Sequence, residues 1–192
     1  PTACRRLPRN PLRRAVRPVR RKKAEMEREQ RIKAAKETAM RKLLARDRSE
    51  WELGKLLERD GFDPEEREAA LSYVKSFGYV NDRRYAENYV MSAGSRKSRA
   101  ALRSFLQEKG VSREDAEAAL RELPEDEGPL IRELLEKKAG APHAMDDRER
   151  RRVFAYLGRR GFGAADIRRE MKRYEREAPE GDTSFFGKQE SY

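Results

Sequence analysis

Three stretches of this chain decide its fold: Leu53-Gly54-Lys55-Leu56-Leu57-Glu58-Arg59-Asp60-Gly61-Phe62, Leu102-Arg103-Ser104-Phe105-Leu106-Gln107-Glu108-Lys109-Gly110-Val111 and Val153-Phe154-Ala155-Tyr156-Leu157-Gly158-Arg159-Arg160-Gly161-Phe162. Each sets apolar residues eight, five and four positions before its last glycine and one directly after it. Those glycines stand 49 and 51 residues apart. The register continues ten residues beyond them, at Leu71, Leu120 and Met171, and thirteen beyond, at Val74, Leu123 and Tyr174. Six aligned apolar positions in three copies are an internal repeat.

The spacing has a direct physical meaning. Offsets of eight, five and four before the glycine share one helix face. The glycine supplies the left-handed residue that ends the helix. A second helix then starts, signalled by Asp63-Pro64-Glu65-Glu66 and by Ser112-Arg113-Glu114-Asp115. In the third copy Gly163 takes the cap position, where it offers no side-chain acceptor. A further helix precedes each pair: about Thr38–Arg46, then Asp82–Met91 with Tyr85, Ala86, Tyr89 and Val90 apolar, then Gly128–Lys138 with Leu130, Ile131, Leu134 and Leu135 apolar. The alternation of a β-strand is not found. The expected fold is all-α, with three tandem three-helix repeats at 37–80, 81–124 and 125–176.

Composition agrees with thin repeated cores. Of 192 residues, 36% are hydrophobic and 42% charged, too little apolar mass for one deep core. The net charge of +11 belongs to one end. Residues 1–23 hold ten Arg/Lys and no acid, whereas 24–192 hold 36 bases against 35 acids. Like-charge repulsion and Pro8, Pro11 and Pro18 predict disorder over 1–23, within a basic, largely disordered tail assigned to 1–36, while Ala, Glu, Lys, Arg and Met make 24–46 helix-friendly. Pro, Gly, Asp, Thr and Ser predict a second tail over 177–192, with Phe185-Phe186 as an apolar spot. The sequence begins at Pro1, and Met26 and Met40 are later candidate starts.

Little in the sequence is equipped for catalysis. One cysteine, Cys4, and one histidine, His143, leave no zinc cluster and no nucleophile–histidine triad. Gly158-Arg159-Arg160-Gly161-Phe162-Gly163 lacks both the order and the preceding strand of a dinucleotide loop. We expect no enzyme activity, no cofactor and no metal. No apolar run approaches the length of a membrane span, and no secretory signal follows the basic start. A cytoplasmic location is expected, although the arginine-rich start leaves an organellar address open.

The charge bands are more informative. Residues 95–109 hold five bases and one acid, 113–127 hold seven acids and two bases, and 147–176 hold eleven bases and five acids. Candidate contacts to phosphate or to an acidic partner are therefore Arg96, Lys97, Arg99, Arg103 and Lys109, and around the third glycine turn Arg159, Arg160, Arg168, Arg169 and Lys172. Glutamates on the second helix of each glycine-centred pair in the first two repeats (Glu65, Glu66, Glu68; Glu114, Glu117, Glu122) disfavour a sequence-reading helix-turn-helix.

The run Arg46-Asp47-Arg48-Ser49-Glu50-Trp51-Glu52-Leu53, followed by Leu57…Gly61-Phe62, resembles the opening of the RecX family, bacterial regulators of the RecA recombinase. Phe77-Gly78-Tyr79-Val80-Asn81-Asp82…Tyr85-Ala86 resembles the next family block, with Val80, Asn81 and Tyr85 as conservative departures. Leu102…Val111 and Phe154…Ile167 resemble the remaining two. The resemblance spans about Ala35 to Glu175. It implies an elongated, curved array of three-helix units. It also implies a protein that binds along the RecA–single-stranded-DNA filament and dampens strand exchange, ATP hydrolysis and coprotease activity in DNA repair and the SOS response; a monomer is expected. A different class stays open beside it: a non-specific nucleic-acid binder that grips through its arginine tail.

Overall fold

A computed structural model describes residues 12–179, with side chains from 24 onward. Among these residues there are helices and turns but no strand. The helices are α1 (Leu12–Ala45), α2 (Glu50–Arg59), α3 (Pro64–Ser76), α4 (Asp82–Ala93), α5 (Arg99–Glu108), α6 (Arg113–Leu120), α7 (Gly128–Ala139), α8 (Asp147–Gly158) and α9 (Ala164–Arg176). They form three bundles of three, each with its own apolar core. The described residues divide into two compact units, one up to Asn81 and one from Asp82 onward. The first contains one bundle and the second contains two.

Each repeat is built in the same way. The middle helix starts on a side-chain cap: Ser49 Oγ accepts from Glu52 N at 3.1 Å, Ser98 Oγ from Ala101 N at 3.1 Å, and Asp146 from Glu149 N at 2.7 Å. Such a cap contributes about 1 kcal/mol. The middle helix ends at Gly61, Gly110 or Gly161, with φ of 86°, 74° and 87°. In the first two repeats the next residue turns its N–H back onto the helix, Phe62 to Leu57 O at 3.2 Å and Val111 to Leu106 O at 3.0 Å. The third helix starts on Asp63 in a full capping box, on Ser112, or on Gly163, which caps with no side chain.

The positions eight and four before the glycine are the centre of each core. Leu53, Leu57, Leu102, Leu106, Val153 and Leu157 are fully buried. The position five before is only half-buried, at Leu56, Phe105 and Tyr156. A 100° step per residue puts it at the edge of the stripe. The expected position at Leu123 also differs, because α6 stops at Leu120 and Leu123 lies beyond the helix. Pro124 follows, and a proline disfavours helix at the residue before it.

Helix α1 runs from Leu12 to Ala45, so it takes in the helix-favouring stretch from Ala24 and extends back into the basic segment before it. Extending an existing helix costs far less than starting one, and Ala, Glu, Lys and Arg from Ala24 onward form a strong nucleus. Pro18 then removes a single hydrogen bond. Residues 1–11 and 180–192, with Cys4 and Phe185-Phe186, lie outside the described residues.

In the first unit α1 and α3 run parallel, since residue numbers rise together along their contacts: Arg28 with Glu65, Arg31 with Glu66 and Lys36 with Tyr73. In the second unit the two bundles are joined directly. Ser98 N donates to Arg160 O at 3.0 Å, and Arg99 N to Glu127 Oε1 at 2.5 Å. Gly161 fits there because a Cβ would lie 2.6 Å from both Ser98 Oγ and Ala101 Cβ.

Candidate functional site

The third bundle carries a groove of about 510 Å3 between α8 and α9. Val153 and Leu157 turn one face of α8 into the core, and Ile167, Met171 and Tyr174 do the same for α9. That leaves Arg151 and Phe154 three residues apart on one helix, and Arg168 and Lys172 four apart on the other. All four line the groove, with Met171 beside Phe154. The Arg168 guanidinium carbon stands 5.4 Å from the Phe154 ring centre, a cation–π contact.

Two carboxylates also line the groove, but both are already paired. Arg150 holds Glu175 at 2.8 Å and Asp147 at 3.2 Å. The Glu175 hydrogen bond raises the Arg150 pKa, so that cation is held for an internal partner. Among the described residues, Arg151, Arg168 and Lys172 have no carboxylate within ion-pair distance, and all three are exposed. Three unspent cations around an aromatic ring, beside a neutralised acid pair, can bind phosphate or a carboxylate-rich surface.

The expected contact residues divide unevenly. Arg168 and Lys172 meet in the groove together with Arg151, which sequence reasoning left out of its candidates. Arg159 is exposed at the end of α8. Arg160 folds back over its own helix, 3.6 Å from the Tyr156 ring centre and 3.3 Å from Tyr156 O. Arg169 turns to Asp166 at 2.7 Å and Glu170 at 3.6 Å. In the second bundle Arg96 bonds Ser92 O at 2.8 Å. Lys97 lies over the stacked rings of Tyr89 and Phe105 and donates to Tyr89 Oη at 2.9 Å. Lys109 lies 5.4 Å from the Phe105 ring centre.

Arg99 and Arg103 are committed inside the bundle. The Arg99 guanidinium bonds Leu120 O at 2.7 Å and Leu123 O at 2.6 Å, closing the end of α6. Arg103 grips Glu117 through two bonds of 2.5 and 3.2 Å, which hold the Glu117 carboxyl below the ordinary range. His143, the lone histidine, bonds Glu149 at 2.9 Å and approaches Tyr174 Oη at 3.1 Å. Burial pushes the Tyr174 phenol pKa up, and its hydroxyl lies 2.7 Å from Ala141 O, tying the α7–α8 loop to α9. Among the described residues no group of His, Cys, Asp or Glu is placed to hold a metal ion. No helix among them is long and apolar enough to cross a membrane.

The fold defines a protein of tandem three-helix bundles, the third of which carries a cation-lined groove. Comparison with known proteins names that class further. Models of the first, second and third three-helix domains of RecX match residues 35–73, 81–120 and 125–171. The regulatory protein RecX of Amycolatopsis mediterranei (strain U-32) is 37% identical over 159 residues, covering 79% of this chain and 91% of that one. The regulatory protein RecX of Cronobacter sakazakii (strain ATCC BAA-894) is 31% identical, covering 71% and 90%. A crystal structure of RecX from Lactobacillus salivarius superposes with a TM-score of 0.62 at 20% identity, covering 77% of this chain and 98% of that one. This chain belongs to the RecX family.

Proposed function

We propose that this protein regulates the RecA recombinase by binding the RecA–single-stranded-DNA filament, without catalysis of its own. Its family relatives are named as regulatory proteins. The observation that carries the reading is the α8–α9 groove, where Arg151, Arg168 and Lys172 stand without acid partners around Phe154. A filament offers phosphates and protein carboxylates in a regular row, and tandem bundles match a repeating partner. The chain occupies sites along the filament as a monomer in the cytoplasm, hindering its growth and dampening ATP hydrolysis and strand exchange.

The test is RecA's own turnover. Adding the purified chain to RecA hydrolysing ATP on single-stranded DNA is expected to lower the rate in a dose-dependent way. An unchanged rate, with the added chain shown to be folded, would refute the proposal.

A further inference from the structure

The first unit carries an aromatic surface that its core does not use. Helix α3 ends at Phe77 and Gly78, with Gly78 at φ 68°. Gly78 N bonds Lys75 O at 2.9 Å and Tyr79 N bonds Val74 O at 3.0 Å, the paired bonds of a Schellman turn. The residue after the glycine in such a turn ordinarily packs inward, and Val111, 4% exposed, follows that rule. Tyr79 breaks it. Its ring is 50% exposed, and Val80 goes into the core instead.

Phe77 and Tyr79 stack with ring centres 5.9 Å apart and planes 24° from parallel. Tyr73 meets Phe77 edge-on at 4.9 Å. Phe77 is 59% exposed and Tyr73 38%. The Lys36 ammonium lies 5.1 Å from the Tyr73 ring centre, and Lys33 stands one turn earlier on α1. Neither lysine has a carboxylate partner among the described residues. Here three rings in contact form a π surface edged by unspent ammonium groups, which suits flat bases joined by phosphates.

We infer that Tyr73, Phe77 and Tyr79 form a stacking platform for unpaired bases of single-stranded nucleic acid, with Lys36 and Lys33 meeting the adjoining phosphates. Every base presents a π face, so the platform is indifferent to sequence. It acts in a different unit from the α8–α9 groove and needs no RecA.

The full-length chain is titrated, without RecA and at one ionic strength, against a labelled oligothymidylate and an abasic strand of equal length. Phosphate contacts are common to both strands, and only the first can stack. The intact chain is expected to bind the base-bearing strand at least about fivefold more tightly. Replacing both exposed rings, Phe77→Ala with Tyr79→Ala, should erase that preference and leave abasic affinity unchanged. Phe77→Leu with Tyr79→Leu, which keeps apolar bulk but removes the π face, should do the same with an unchanged melting temperature. Equal binding of both strands by the intact chain, or binding of neither, overturns the inference. So does a double variant that keeps the preference. A double variant that keeps it while losing RecA filaments marks the patch as a protein-docking surface, which also overturns the inference.

Discussion

Single residues set the geometry of the repeat, and two glycines show how. Gly61 and Gly161 end equivalent helices at nearly the same φ, 86° and 87°. A Cβ at Gly61 would meet nothing within 4 Å, whereas at Gly161 it would strike Ser98 and Ala101. Gly61→Ala is therefore expected to cost only left-handed backbone strain, about 1–2 kcal/mol. Gly161→Ala should cost that plus overpacking of about 1–3 kcal/mol. Urea unfolding of the two variants measures the difference, and equal losses would contradict the close joint between the second and third bundles. Glu66 supplies a second test. Its carboxylate accepts from Arg31 at 2.8 Å and from Asp63 N at 2.9 Å, and the Arg31 bond above all holds its pKa low. A carboxyl depressed by folding stabilises the protein above its unfolded pKa, about 4.3, and that contribution fades as pH falls through the lower folded value. Stability should therefore drop on acidification below about pH 4.3, and Glu66→Gln should flatten that limb of the curve. An equally steep fall in the variant would place the acid sensitivity elsewhere.

Helices were legible to the degree that local spacing controls them. The glycine stops, the caps at Asp63 and Ser112 and the buried leucines all depend on neighbours within one or two turns. Leu106→Ala or Leu157→Ala should destabilise the second unit by about 2–5 kcal/mol, since both side chains are fully buried. Leu56→Ala, at the stripe's half-buried edge, should cost clearly less in the same melt. Comparable losses at all three would refute the core assignment. What the sequence hid lay in contacts between distant residues. Arg99 seals the end of α6 by reaching carbonyls 21 and 24 positions away, so a residue that read as surface charge is a structural clamp. The length of α1 was hidden for another reason. Arginine–proline composition reads locally as coil, while the helix is propagated from the Ala24–Ala45 segment behind it.

At the scale of the whole molecule, net charge does not tell which cations are already paired. The sequence showed basic bands but not which cations were spent. Arg103 and Arg169 are held by acids, Arg160 lies against Tyr156, and Arg99 is committed to carbonyls. Arg151, absent from the expected set, is free because Asp147 and Glu175 both go to its neighbour Arg150. The surface that remains, the α8–α9 groove, is the one proposed to grip the RecA filament. Co-sedimentation with RecA–single-stranded-DNA filaments, comparing the intact chain with one carrying Arg151→Glu, Arg168→Glu and Lys172→Glu, tests it most directly. These side chains are exposed, so the fold should survive with little change in melting temperature. The intact chain is expected to pellet with filaments and the triple variant to stay in the supernatant. A folded triple variant that pellets as well as the intact chain would contradict it.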